Sequence, residues 1–207
     1  MASNSKYWGF DIDNDKPIYV VLFISRNKDN KEVAGFKERR KSFITNKGYD
    51  SVDLMYDFYD FCNQGQPGEM SRMYMSVNNR NGSVIYKKLL HFLIDNPNFN
   101  LCSLSAKIAG LAAEKDCALT KRWLFDFDID DKVKMNEFCI DIKSIDAEIY
   151  IETHKTPKGY AVITNRGFDT RSLFEKWTSD VTLKKDDLLC IHWWFDINER
   201  VRISDKK

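Results

Sequence analysis

The chain has 207 residues and a mass of 24.3 kDa, and 43% of its residues are apolar, which is enough for a folded core. Lysine and arginine total 32 against 31 acidic residues, so a net charge of +1 argues against a global attraction to nucleic acid or anionic membranes. Five scattered cysteines without a CxxC pair argue against a zinc knuckle and a disulfide framework. No apolar leader follows Met1 and no window holds 18 consecutive apolar residues, so we expect a cytoplasmic protein without a membrane span.

The first half of the chain predicts strands that alternate with helices. A buried strand is expected at 17–25, where β-branched and aromatic residues form a short apolar run. A second strand is expected within 37–44, and a helix at 51–62 has Ser51 as its candidate N-cap. A further strand is expected at 72–77, followed by helices at 83–94 and 101–117.

The second half of the chain predicts mostly strands. They are expected at 122–128, 148–153, 161–164 and 188–194, with one helix after the first of them and another at 170–177. This order predicts an α/β or α+β layout in a single compact domain over 1–207. Within it we expect an N-terminal subregion at 1–65, a catalytic-like core at 70–195 and a charged tail at 198–207.

The strongest candidates for chemistry are two aspartates in the run Trp123-Leu124-Phe125-Asp126-Phe127-Asp128. Side chains alternate faces along a strand, so Asp126 and Asp128 point the same way and the aromatic residues point the other way. Neighbouring carboxylates repel each other unless a divalent cation holds them, and Mg²⁺ and Mn²⁺ prefer such oxygen ligands. The alternative is a solvated acidic face or a charged turn, because Asp130 and Asp131 follow directly.

Two further segments follow the aspartates in a fixed order. The stretch from Thr153 to Thr164 predicts a strand, a basic glycine turn and a strand, and Asp180 then precedes the apolar strand at Leu188-Leu189. Together with the strand that begins at Arg72, this order resembles the archaeo-eukaryotic primase (primase-polymerase) superfamily, especially its small single-module bacteriophage members. The resemblance covers most of residues 72–192.

The resemblance implies an RRM-like catalytic core, built as a mixed sheet flanked by helices, and two-metal nucleotidyl transfer with Mg²⁺ or Mn²⁺. It implies Asp126 and Asp128 as metal ligands and Asp180 as a third catalytic acid. One departure concerns the histidine that such proteins carry after Gly-Tyr, where this chain has Ala161, whose methyl group donates no hydrogen bond. His154, Lys155 and Lys158 flank the same turn and are candidate replacement cations.

Other candidate contacts to nucleic acid or a nucleotide are Arg72, Asn78, Arg80 and Lys184, since arginine and asparagine commonly contact phosphates and bases. A polar turn that uses its asparagines for backbone geometry explains residues 78–82 equally. Three functions stay open: a phage-type primase-like nucleotidyltransferase in DNA replication, a metal-dependent nuclease that uses the same acids, and a non-catalytic accessory or inhibitor. The expected partners are DNA or nucleotides, with a host or phage replication protein as a further partner.

Overall fold

A computed structural model describes residues 17–194, which form five α-helices and two four-stranded antiparallel sheets. The strands are β1 (Tyr19–Ser25), β2 (Arg39–Thr45), β3 (Ser71–Ser76), β4 (Trp123–Phe127), β5 (Ile151–Lys155), β6 (Tyr160–Thr164), β7 (Val181–Lys184) and β8 (Leu188–Trp194). The helices are α1 (Val52–Asn63), α2 (Gly82–Asp95), α3 (Leu104–Ala112), α4 (Lys132–Ile145) and α5 (Arg171–Trp177). The expectations for the start of the chain and for the tail at 198–207 lie outside the described residues. Across 17–194, none of the helices combines the length and the apolar character that crossing a membrane requires.

The first sheet has the strand order β2-β1-β3-β8, and all neighbouring strands are antiparallel. Strand alternation divides its side chains between two faces. One face, which includes Phe23 and Met73, packs against Leu54 and Phe58 of α1. Val20 belongs to the opposite face and packs with residues of α2 and α3. Arg72 and Tyr74 alternate with the buried methionines of β3, so they lie on the face away from α1.

The second sheet has the strand order β5-β6-β4-β7 and is also antiparallel throughout. Its elements follow one another in the chain as β4-α4-β5-β6-α5-β7. Phe125 and Phe127 are fully buried and pack with Phe138 of α4 and Trp177 of α5. This aromatic core occupies one face of the second sheet and leaves the other face turned toward the first sheet.

The two sheets contact each other through a small apolar cluster of Val77, Leu124, Ala161, Ile163 and Leu189. A buried ion pair reinforces this contact. Asp186, between β7 and β8, accepts hydrogen bonds from Arg80 Nη1 and Nη2 at 2.9 and 2.8 Å and from Asn78 Nδ2 at 3.0 Å. Asn78 also receives the backbone N–H of Arg122 at 2.7 Å, so the loop after β3 is joined to the start of β4.

The structure confirms an α+β protein but contradicts the prediction of one mixed sheet, because its strands form two separate antiparallel sheets. Strand β1 pairs with both β2 and β3, so the described part of the subregion 1–65 shares a sheet with residues of the expected core. Strand β7 was not predicted because its four residues include Lys184 and form no apolar run. The helix expected at 101–117 is shorter, with α3 flanked by two single 3₁₀ turns, and Ser51 precedes α1 without a capping hydrogen bond from its side chain.

Candidate functional site

A cleft of about 290 Å³ lies between the two sheets, on the face of each sheet that its own aromatic core does not occupy. The second sheet contributes residues of β4 and β7 and the turn between β5 and β6. The first sheet contributes residues of β3 and β8 and the loop after β1. The charged residues that line the cleft are Arg26, Lys28, Arg72, Asp126, Asp128, Lys158 and Lys184. Basic side chains outnumber carboxylates there, so the cleft lining is locally basic although the whole chain is almost neutral.

Asp126 and Asp128 both line this cleft, as their spacing on one strand predicts. Asp126 lies within β4, where it is paired with Ala161 of β6 on one side and Thr182 of β7 on the other. Asp128 follows the last residue of β4 and is exposed. A small residue and a short polar residue beside Asp126 leave its carboxylate accessible from the cleft, and 28% of its side chain is exposed.

Lys184 of β7 forms an ion pair with Asp126, with Nζ 2.6 Å from Oδ2. Burial by itself lowers the pKa of Lys184, but its hydrogen bond to Asp126 and the charges of Asp126, Asp187 and Asp128 outweigh burial. The pKa therefore lies above its ordinary value, and Lys184 is charged at neutral pH. The neighbouring strand β7 therefore supplies the counter-ion of Asp126.

The opposite wall of the cleft is basic because a loop is fixed against β3. Asn30 donates its side-chain amide to the backbone oxygen of Met70 at 3.0 Å and to that of Arg26 at 2.9 Å. Asp29 then bridges two arginines, accepting from Arg26 Nε and Arg72 Nη2, both at 2.7 Å. These contacts hold both guanidinium groups at the cleft, although Asp29 also neutralises part of their charge.

The turn between β5 and β6 closes one side of the cleft with Thr156, Pro157 and Lys158. Gly159 is required there, since a Cβ atom on it would lie 2.0 Å from the backbone oxygen of Phe127. The turn is held by the Thr156 backbone N–H, which donates to the Gly159 oxygen at 3.0 Å. Close packing of this turn on the end of β4 places Lys158 in the lining of the same cleft as the aspartates.

Two potentially reactive groups on the cleft wall are neutral. Burial raises the pKa of the Cys190 thiol to about 11, and burial is also the largest cause that raises the pKa of the Tyr74 phenol. Neither group is therefore an anion at neutral pH. The charge of the cleft is set by its basic residues and its two aspartates.

The predicted third acid, Asp180, is not among the described residues that line the cleft. Its carboxylate lies 3.5 Å from Lys134 Nζ of α4 instead. The reason is that Asp180 comes before β7 begins, next to the helices that cover the other face of the sheet.

Only some of the predicted phosphate contacts lie at the cleft. Arg72, Lys158 and Lys184 line it. His154 instead packs edge-on against Tyr49 with ring centroids 5.7 Å apart, and Lys155 pairs with Asp130. Asn78 and Arg80 are buried, and both donate hydrogen bonds to Asp186.

Arg26 and Lys28 were missed by sequence reasoning. They lie in the polar cluster 26–30, which the sequence shows only as a turn after a buried strand. Antiparallel pairing of β1 with β3 brings the turn after β1 next to Arg72 near the start of β3. The pairing itself cannot be deduced from local sequence.

The aspartate site fits a divalent metal that is bound together with a phosphate. Within residues 17–194, no group of three or more histidine, cysteine, aspartate or glutamate side chains is arranged to hold a metal ion. Mg²⁺, however, is commonly held by one or two carboxylates with water and substrate phosphates completing its octahedron. Asp126 and Asp128 supply that number of carboxylates, and the basic wall supplies partners for phosphate.

Comparisons of this chain with protein-family models, with curated proteins and with solved structures found no match.

Proposed function

We propose that the cleft binds DNA or a nucleotide together with Mg²⁺ or Mn²⁺ and that the protein is a primase-like protein of bacteriophage type. The observation that carries this proposal is the cleft itself, in which two carboxylates on one strand face a wall of basic side chains. Phosphate groups need cations and hydrogen-bond donors, and arginine and lysine supply both. Without a metal, the negative carboxylates would repel a phosphate. A bound metal would give them a role in phosphate binding.

The topology of the second sheet supports an RRM-like core. Its chain order, β4-α4-β5-β6-α5-β7, is the βαββαβ order of ferredoxin-like and RRM folds. Its two middle strands are β4 and β6; Asp126 lies on β4, and Asp128 follows its last residue. We therefore assign the catalytic-like part of the proposed core to the second sheet, with the first sheet as the opposite wall.

Asp126 and Asp128 would hold the metal, and the metal would supply charge neutralisation and orientation of the phosphates. Arg26, Arg72 and Lys158 would neutralise the remaining phosphate charge from the other sides of the cleft. Ala161 lies directly beside Asp126 and offers no donor where the resembled family carries histidine. For this reason the proposal assigns metal and phosphate binding but leaves nucleotidyl transfer and nuclease chemistry to experiment.

A second candidate is a non-catalytic protein that binds nucleic acid through the same cleft. The Asp126–Lys184 ion pair favours it, because a carboxylate already neutralised by lysine needs no metal. In this case the aspartates would position Lys184 for phosphate, and divalent cations would leave oligonucleotide binding unchanged.

The experiment measures the melting temperature with Mn²⁺, with a single-stranded DNA oligonucleotide and with both. A ligand that binds only the native state raises its stability, by about 2.7 kcal/mol at 100 times Kd. We expect stabilisation by Mn²⁺ plus oligonucleotide that is lost in Asp126→Asn/Asp128→Asn. Asp130→Asn is the matched control, since Asp130 follows in the same acidic segment but pairs with the exposed Lys155.

Several outcomes separate the candidates. Stabilisation by oligonucleotide alone, unaffected by Mn²⁺, would select the non-catalytic candidate, and no response to any ligand would reject both. If metal and oligonucleotide both bind, a labelled oligonucleotide incubated with Mg²⁺ and dNTPs distinguishes extension from degradation.

The cellular setting is part of the proposal. The cysteines of the described residues form no disulfide, which suits a reducing cytoplasm such as that of a bacterial host; they are Cys62, Cys102, Cys117, Cys139 and Cys190. A role in phage DNA replication and a partner among replication proteins are proposed on the resemblance alone.

A further inference from the structure

We propose that Lys184 is an exchangeable counter-ion, which holds Asp126 in the ligand-free protein and moves to the ligand's phosphate when a divalent metal takes the carboxylate. This inference rests on the proposed function and deepens it, because it makes metal binding and phosphate binding cooperative. It assigns Lys184 as a positioning residue and not as a catalytic residue.

The Asp126–Lys184 ion pair lies at the cleft, where a metal ion and a phosphate can both reach it. Lys184 stands opposite Leu124 in the β4–β7 ladder, two residues after Thr182, which stands opposite Asp126 on the same face. Its ammonium therefore reaches Asp126 diagonally across the ladder, and both residues line the cleft. The pair is partly exposed, with 38% of the lysine side chain and 28% of the aspartate side chain accessible. A metal ion entering from the cleft meets the carboxylate and the ammonium together.

Electrostatics favours displacement of the lysine once metal is bound. A divalent cation on Asp126 and Asp128 neutralises both carboxylates, so the nearby ammonium loses its attraction and is repelled by the metal. Lysine has a flexible four-carbon stem and a compact charge, so its ammonium can reach another acceptor without movement of the strand. A phosphate bound in the cleft supplies that acceptor.

The exchange predicts a particular pattern of affinities. Metal alone must break the Asp126–Lys184 pair and therefore binds weakly. A bound phosphate offsets the cost of breaking this ion pair, because it accepts hydrogen bonds from the released ammonium and completes the coordination of the metal. By linkage, the factor by which phosphate strengthens metal binding equals the factor by which metal strengthens phosphate binding.

The test uses Lys184→Met, which keeps a similar apolar stem and removes the charge. Mn²⁺ affinity is measured by electron paramagnetic resonance without any phosphate ligand. We expect Lys184→Met to bind Mn²⁺ more tightly than the wild type by about 2- to 5-fold, the change that corresponds to the loss of one partly exposed ion pair. Binding of a fluorescent single-stranded oligonucleotide is then measured with EDTA and with saturating Mg²⁺, and we expect Mg²⁺ to strengthen it less in the variant.

Two further variants serve as controls. Lys185→Met removes the neighbouring lysine, whose ammonium lies 4.8 Å from the centre of the Trp123 ring and does not line the cleft. It should keep wild-type Mn²⁺ affinity. Lys184→Arg retains the charge and should keep weak Mn²⁺ binding, which separates the effect of charge from any change in folding.

Equal or weaker Mn²⁺ binding by Lys184→Met overturns the inference, and if the wild type still binds Mn²⁺ and oligonucleotide, the proposed function survives. Absence of Mn²⁺ binding in both wild type and Lys184→Met overturns the inference and the metal site together. Mn²⁺ binding that appears only in Lys184→Met supports the exchange directly.

Discussion

The ion pair between Arg80 and Asp186 should be among the most sensitive positions in the protein. Only 2% of the Arg80 side chain and 14% of the Asp186 side chain are exposed, and Asp186 accepts from both Arg80 and Asn78. Asp186→Asn removes the negative charge and leaves the guanidinium buried without a counter-ion. Breaking a buried pair in this way costs about 3–5 kcal/mol. A domain is typically stable by about 5–15 kcal/mol, so the loss is a large fraction of the total.

Urea denaturation followed by tryptophan fluorescence measures this change. The urea midpoint should fall with little change in slope, and the melting temperature should fall by roughly 6–20 °C for a chain of this size. The double variant Arg80→Met/Asp186→Leu should recover much of the loss, because it removes both charges at once. Asp169→Asn is the control, since the ion pair of Asp169 with Arg171 is on the surface and its loss should leave the midpoint unchanged.

A loss below about 1 kcal/mol in Asp186→Asn would refute the reasoning, because it would place this pair among ordinary surface ion pairs. A double variant no more stable than Asp186→Asn would also count against it. That result would mean that the geometry of the loops, and not the unpaired charge, determines the loss.

Two other predictions concern backbone packing and pH. Gly159→Ala should destabilise the protein by about 1–3 kcal/mol, because its Cβ would collide with the backbone oxygen of Phe127. A Cβ atom at Gly110, on the exposed face of α3, would meet nothing within 4 Å. Gly110→Ala should therefore stabilise the protein by about 0.5–1 kcal/mol. The urea midpoints of the two variants test both expected changes. Burial lowers the pKa of His192 below 6.5, so the unfolded chain takes up its proton first and stability declines as pH falls below 6.5. His192→Phe should therefore lose less melting temperature between pH 7.5 and 5.5 than the wild type, and an equal or greater loss would contradict the assigned cause.

The local sequence predicts those features that depend on a single strand or helix. The alternation of side chains along residues 122–128 is enough to place Asp126 and Asp128 on one face and Phe125 and Phe127 on the other, and the structure has that arrangement. The helices α1, α2 and α5 follow predicted segments closely for the same reason, since their apolar spacing is a local property.

Strand pairing is not local, and there the predictions failed. Nothing in the residues of β8 shows that it pairs with β3 and not with β7, which directly precedes it in the chain. A sequence pattern identifies a strand but not its neighbours, and so two antiparallel sheets were predicted as one mixed sheet. The short strand β7 escaped prediction because its two neighbouring lysines at 184 and 185 interrupt the apolar pattern.

The sequence by itself thus determined that Asp126 and Asp128 share one face of a strand, since a period of two residues is set by the backbone. Only the tertiary structure decided what faces them. Arg26 and Arg72 reach the cleft from the other sheet through Asp29, while Lys184 pairs with Asp126 across 58 residues of chain. Those contacts join residues distant in sequence, so their physical origin is the packing of the two sheets and not any local pattern.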